Sequence, residues 1–420
     1  MFDPYQNIQK VQLENGIDLY ICYWPVNFTR ILAQIHCGHV HNPENLEGLA
    51  HLAEHVAANS SYLKKVEEKM RLLGICYSTG STDLLHTWIT ASIPNGSLKS
   101  SHTNHYLRKA LNVIDDYFFN IPNFLIEKCF FAEKIAIINE CFDRDGSPEL
   151  LKKTRAISNL PWGELSHLRR EYPSTIENIS SLDVETFIKN QYTTNNMSIF
   201  IVGGLKLDSI MKSINCSKLT RRLSTGERRT PSPTSPLTKP KINHYEFYPE
   251  DFGLPSRGQG CVEFILLTTE FSFEVLCLAK LILDRSLTSE LRKKRNLSYS
   301  ANLNTKWRPG NIHEFELQSR IPKDSLNVCE KIIEDTILKS AKDYDMMLKA
   351  KKTILSSWRV SSPEIFDTTM GFACDVSKFG KIISEQETKN KYKDTPLEEV
   401  ANFLKYLAQK ENRFTIISYP

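Results

Sequence analysis

Two distant stretches of the chain follow the same short plan. Leu182-Asp183-Val184-Glu185-Thr186-Phe187-Ile188 precedes Asn196-Met197-Ser198-Ile199-Phe200-Ile201-Val202. Leu397-Glu398-Glu399-Val400-Ala401-Asn402-Phe403-Leu404 precedes Asn412-Arg413-Phe414-Thr415-Ile416-Ile417-Ser418 in the same way. Each pair reads as a short capped helix, a turn and an apolar strand. Such a repeat constrains the chain to an α+β fold of two duplicated α/β-sandwich domains, each a mixed or antiparallel sheet covered by helices. The length of 420 residues suits two or three domains with large buried cores. Between the repeats, residues 216–243 collect Arg221, Arg222, Arg228, Arg229, Pro231, Pro233, Pro236 and Pro240 among Ser and Thr. This basic stretch reads as an extended, exposed linker. The expected division is therefore 1–215, a linker at 216–243, and 244–420.

Composition narrows the function classes. The hydrophobic and charged fractions, 41% and 24%, are those of an ordinary globular protein, and a formal net charge of +4 gives no case for nucleic acid or a membrane surface. The longest apolar runs, such as Ile199–Val202 and Phe264–Leu267, are strand-sized and far short of a spanning helix. The start, Met1-Phe2-Asp3-Pro4-Tyr5, shows neither a secretory nor an organellar leader pattern. The ten cysteines are scattered without a C-x-x-C pair, and several sit in apolar runs. Together these features lead us to expect a cytoplasmic protein without disulfides.

Chemistry concentrates near the N-terminus. Residues 8–24 alternate around Asn15-Gly16 as a β-hairpin, and Ile31 to His39 reads as a further strand. His36 and His39 then fall on opposite faces, so with His41 they form a poor metal cluster. The Ala- and Leu-rich run that follows predicts a helix over 45–59, capped by Asn42 or Asn45. Leu49, Leu52, Ala53 and Val56 form its core stripe, while His51, Glu54, His55 and Ala58 share the other side. Imidazoles four apart on a helix converge within about 5–6 Å, which is zinc-ligand spacing. Glu54 then reaches a metal-activated water without being a ligand. A bare histidine pair at this spacing is more often a solvated helix face, but the adjacent glutamate and the flanking alanines favour the metal.

Downstream, a helix is expected around Tyr62 to Leu73, then Tyr77-Ser78-Thr79-Gly80-Ser81-Thr82, and a strand at 87–93. Helices follow around 104–118 and 123–141. The last carries Glu133 and Glu140 seven apart, with Ile135, Ala136, Ile137 and Ile138 between them, so dry surroundings are expected.

His51-Leu52-Ala53-Glu54-His55 is the inverted zinc-peptidase motif H-x-x-E-H. The chain resembles the pitrilysin family, which includes insulin-degrading enzyme and mitochondrial processing peptidase, and specifically its half-size, two-domain members among the processing peptidases. The likeness runs from about residue 8 to 420. It implies one Zn²⁺ per chain held by His51, His55 and Glu140, with Glu133 supporting them and Glu54 as catalytic base; Glu133 remains the alternative third ligand. The family also carries an Arg and a Tyr seven apart in a Leu-Arg-x5-Gly-Tyr setting. Here Arg292 and Tyr299 match, with Ser298 in place of the glycine, and are implied to bind substrate and assist catalysis. The family's substrate-binding edge strand corresponds to Tyr77–Trp88, placing Ser78, Thr79 and Gly80 beside the peptide, although its Asn-Ala-Thr pattern is poorly kept.

The resemblance further implies a clamshell that closes over short unfolded peptides. Because one chain has only two of the four domains, it implies a homodimer, or a heterodimer with a related half-size subunit. Within the enzyme class, general peptide clearance competes with removal of a leader from one ribosomally made, modified peptide. From another class, the chain could serve as a non-catalytic partner subunit, against which the intact His51, Glu54, His55 and Glu140 stand.

Overall fold

The computed structural model describes residues 3–59, 68, 70–72, 74–95, 100–121, 123–145, 171–227, 243–248, 258–357 and 364–419, and the statements below concern these residues. The helix expected at 62–73 falls mostly outside them. By contacts the chain forms two units; the first holds the described residues up to 144, those of 171–227 and those of 364–384.

The first unit is built on a six-stranded sheet: β1 (Ile8–Gln12), β2 (Asp18–Tyr23), β3 (Phe28–Ile35), β4 (Cys76–Thr82), β5 (Thr87–Pro94) and β6 (Met197–Gly203), in the order β1-β2-β6-β3-β5-β4. Only β2 and β6 run parallel. The hairpin expected around Asn15-Gly16 is β1–β2, with Gln12 opposite Asp18. β3 ends at Ile35 rather than His39, because the chain then turns into a 3-10 segment over His39–His41 that runs against the Asp83–His86 loop. Helices α1 (Leu49–Ala58), α2 (Ser100–Phe119), α3 (Asn123–Asp145), α4 (Pro173–Asn178), α5 (Ser181–Gln191) and α6 (Leu207–Asn215) complete this part. The Ser180 hydroxyl caps α5 through the N–H of Asp183, whose carboxylate accepts from the Ser180 N–H in return.

Alternation along the strands sends Ile31, Ala33 and Ile35 of β3 and Ile199 and Ile201 of β6 to one face. There they meet Leu49, Leu52, Ala53 and Val56 of α1 in the main core. A fully buried side chain of that size stabilises by about 1.5–3 kcal/mol, so the core stripe of α1 holds its polar side at a fixed place.

The second unit repeats the plan. It begins with β7 (His244–Phe247), β8 (Gln259–Thr268), α7 (Phe273–Leu287), β9 (Ala301–Arg308), β10 (Ile312–Pro322), α8 (Leu326–Ser340) and α9 (Tyr344–Ser357). The chain then forms α10 (Ile365–Phe379), which belongs to the first unit, before α11 (Glu385–Asp394), α12 (Leu397–Ala408) and β11 (Phe414–Ser418) close the second. Its sheet order is β7-β11-β8-β10-β9, with only β7 and β11 parallel. The two strands of the sequence repeat, β6 and β11, therefore hold equivalent places, each parallel to one neighbour and antiparallel to the other. The duplicated α+β architecture read from the repeat is the observed one.

Two features depart from the sequence division. α10 leaves the second half of the sequence to cover the outer face of the first sheet, where Phe372, Ala373 and Val376 bury Tyr20, Leu32, Phe200 and Val202. The start of the linker, moreover, is not free. Arg222 makes two bonds of 2.7 and 2.8 Å to the fully buried Asp115, and Lys218 reaches Asp116 at 2.8 Å. Buried carboxylates require a counter-charge, and these two basic residues supply it. The linker beyond residue 227 lies outside the described residues up to 242.

Candidate metal centre

The motif helix begins at Leu49, not Asn45. Asn45 and Gly48 adopt left-handed backbone angles, with φ of 66° and 102°, and no helix runs through them. The Asn42 carboxamide instead reaches in from outside and accepts from the N–H of Ala50 at 2.8 Å. Gly48 also permits a close approach: a Cβ there would lie 2.2 Å from Ile176 Cδ1 and 2.6 Å from Glu171 Cβ. The turn that starts α1 is thus also the place where Glu171 comes against it.

On the polar side of α1, the rings of His51 and His55 stand 4.7 Å apart between centroids and nearly perpendicular. Across from them α3 presents Glu140. His51 Nε2 lies 3.7 Å from one Glu140 oxygen and His55 Nε2 lies 3.5 Å from the other. One donor atom from each of these three residues falls within 4.8 Å of the others. Ligands of a tetrahedral zinc at about 2.0–2.1 Å stand roughly 3.4 Å apart, so the spacing suits one ion. The Glu140 side chain is 50% exposed, leaving the centre open on that side.

The opposite nitrogens are committed elsewhere. His55 Nδ1 lies 3.2 Å from Glu133, whose same oxygen accepts from Asn59 at 2.9 Å. His51 Nδ1 lies 3.3 Å from Glu171. An ionised carboxylate can only accept, so this pairing fits Nδ1–H on both rings and leaves both Nε2 atoms on the side of Glu140. Glu133 thus lies behind the His55 ring, while Glu140 is the carboxylate whose oxygens face both Nε2 atoms. Burial favours the neutral form of Glu171, yet the bond from His51 and the nearby His39 and His51 imidazoles hold its carboxyl well below the usual range. The sequence reading missed Glu171, which lies outside any periodic segment. Of the three early histidines, His39 backs this residue at 3.6 Å, whereas His36 bonds Ser198 and His41 accepts from Gly38.

Glu54 faces inward, only 4% exposed, and burial pushes its carboxyl above the usual range despite the two imidazoles beside it. The Tyr117 hydroxyl donates to its Oε1 at 3.3 Å. This contact too went unread, since Tyr117 precedes Phe118 and Phe119 and looks like core. Gly80 of β4 lies against both groups: a Cβ there would be 2.0 Å from the Tyr117 oxygen and 2.4 Å from Glu54 Oε1. Ser78, Thr79 and Gly80 all fall on β4, the edge strand of the sheet, which carries a bulge between Ser78 and Ser81. The dry surroundings expected of the Glu133–Glu140 pair are not found: Glu140 is 50% exposed and Ile135 of α3 is 59% exposed, and Glu133 alone is covered, by His55 and Asn59.

In the second unit, Arg292 closes a π-helical turn after α7, and its guanidinium stacks on the Tyr299 ring at 4.2 Å. Tyr299 is 77% exposed. Ser298, in the family's glycine position, is buried and bonded to Ser300 and Ser319.

With this geometry the chain matches two profiles of one family: "Insulinase (Peptidase family M16)" over residues 25–157 and "Peptidase M16 inactive domain" over residues 178–343. The chain belongs to the M16, or pitrilysin, family. The H-x-x-E-H motif, Glu133 and Glu140 lie within the first M16 match and outside the second. The chain is 25% identical over 266 residues, 59% of its length and 25% of the relative's, to the "Probable zinc protease PqqL" of Haemophilus influenzae. In fold it is similar to the periplasmic protease PqqL from Escherichia coli, with a TM-score of 0.78 at 13% identity, covering 100% of this chain and 48% of that one. It is also similar to a protease from Helicobacter pylori, with a TM-score of 0.76 at 14% identity and 100% coverage of both. The chain thus spans about half the PqqL structure and a quarter of the curated PqqL relative, and it matches the Helicobacter pylori protease in fold over that protein's whole length.

Proposed function

We propose that the chain is a zinc-dependent endopeptidase acting on short, unfolded peptides. The observation that carries this reading is the convergence of His51, His55 and Glu140 within 4.8 Å on an open side, with both Nδ1 atoms held by carboxylates. Two imidazoles and one carboxylate fit a catalytic zinc, which takes three protein ligands and keeps one position free. When bound, zinc supplies a Lewis acid that acidifies water and polarises a peptide carbonyl. Glu54 takes a proton through the oxygen that Tyr117 leaves unbonded and can return it to the departing amine. Glu133 and Glu171 hold the imidazoles in orientation. The β4 edge presents unpaired backbone groups on which a peptide can add as a further strand, which favours extended substrates over folded ones.

A pool of quenched peptides with and without chelator, alongside metal analysis, tests this. Hydrolysis is expected to vanish with the chelator and return with zinc; turnover that ignores zinc removal would discard the reading.

Arg292 and Tyr299 are proposed to stabilise developing negative charge on a substrate bound at the zinc site of a second subunit, giving a homodimer, or a heterodimer with a related half-size chain. Their exposure and mutual stacking support a role toward a partner-bound substrate. Mixing Glu54→Gln and Tyr299→Phe chains is then expected to restore activity that neither has alone, because one mixed dimer contains one intact site. No recovery, with mixed dimers shown to form, would rule out shared sites. Cytoplasmic placement is likewise a proposal, supported by ten cysteines that are all free thiols.

A further inference from the structure

The basic linker had no role in the site above, and its first residues prove to be anchored. Besides the ion pairs of Lys218 and Arg222, the segment is tied to the turn before β6. The Thr194 hydroxyl donates to the Leu223 carbonyl at 3.2 Å and accepts from the Thr225 N–H at 3.0 Å, and the Asn195 N–H donates to the Thr225 carbonyl at 3.2 Å. The strap so fixed forms one wall of a cavity of about 530 Å³ within the first unit. The apolar part of its lining comes from Phe118, Phe119, Ile121, Ile126, Ile188 and Tyr192. Leu223 also lines the cavity, its carbonyl held by Thr194 while its side chain is 82% exposed. With the apolar lining, it offers contact area to a ligand that enters the cavity.

The charges at the rim specify what covers it. The two adjacent arginines have opposite fates: Arg222 is neutralised by Asp115, whereas Arg221 is exposed and, among the described residues, has no carboxylate within ion-pair distance. Lys189, in the last turn of α5, is likewise unpaired among them. Glu185, the acidic residue of the lining, turns to the Asn123 carboxamide at 2.6 Å. Asn123 is also the first residue of α3, a long helix with no acidic residue in its first turn, so its positive end faces this region. We infer that the cavity binds a peptide end in which a bulky apolar side chain sits beside a carboxylate, the side chain meeting the apolar lining and the carboxylate pairing with Arg221 and secondarily Lys189. The expected source of the carboxylate is a free C-terminus. The inference does not rest on the metal centre, whose residues are not in the lining.

Fluorescence anisotropy on zinc-free Glu54→Gln protein tests this without turnover. The probes are a fluorescein-labelled tetrapeptide ending in phenylalanine as the free acid, the same peptide as the amide, and an amide with glutamate just before the phenylalanine. The acid is expected to bind at least tenfold more tightly than the plain amide. Arg221→Ala should weaken the acid tenfold, Lys189→Ala severalfold, and His51→Ala not at all. If the glutamate amide matches the acid, the site stands and its carboxylate comes from a side chain. Equal binding of acid and plain amide, an unchanged affinity in Arg221→Ala, or loss of binding in His51→Ala would each overturn the assignment. Because Arg221 is exposed, its replacement leaves the core intact.

Discussion

Replacing Glu54 by glutamine is expected to leave one zinc per chain and to lower kcat on a quenched peptide by at least a hundredfold. Glutamine keeps the shape and can still accept from Tyr117, so the buried packing around position 54 survives. It cannot take a proton, and a positioned general base is worth about 10²–10⁴ in rate. Zinc should stay because the converging donor atoms belong to His51, His55 and Glu140, not to Glu54. Elemental analysis and steady-state kinetics on one preparation check both halves. Retention of more than a tenth of wild-type turnover would remove Glu54 from its role, even if the metal still proved essential.

The second large effect is expected at Glu171, a residue with no motif to announce it. Its carboxylate is buried between His51 and His39 at 3.3 and 3.6 Å. Glu171→Ala takes away the carboxylate that holds His51 Nδ1 and leaves the part-buried His51 and the buried His39 facing a void. Loss of such an orienting partner typically costs 10–100-fold in metal affinity. Competition with a chromophoric chelator should read that loss, with Glu171→Gln intermediate because its carbonyl oxygen can still accept. An affinity within threefold of wild type for both variants would show that His51 is oriented by other means.

The contrast between these two residues marks what the sequence made legible. The meeting of His51 and His55, with Glu54 beside them, was readable because a helix turns spacing into proximity, and the approach of Glu140 because a second helix lay at the distance expected of a resembling family. The repeat around β6 and β11 was readable for a similar reason: local periodicity of two or 3.6 reports burial directly. Glu171 and Tyr117 were not, since their roles depend on where the chain returns after long excursions. Tyr117 sits in an apolar run and differs from its neighbours only by one oxygen. The helix start was misplaced by a few residues because Asn45 and Gly48 take left-handed angles that composition alone does not reveal. The anchored strap at 218–226 was read as free because Asp115 and Asp116, which hold it, lie on a helix far away in the chain.

The excursion of α10 has a practical corollary for anyone who would cut this protein into halves. A fragment ending near residue 243 would carry every side chain of the candidate metal centre, yet the apolar back of its sheet, Tyr20, Leu32, Phe200 and Val202, would lose the helix that shields it. Such a fragment is set up to aggregate through that face. No single break in the polypeptide yields two self-sufficient pieces, and a workable dissection would have to graft residues 363–384 back onto the front half.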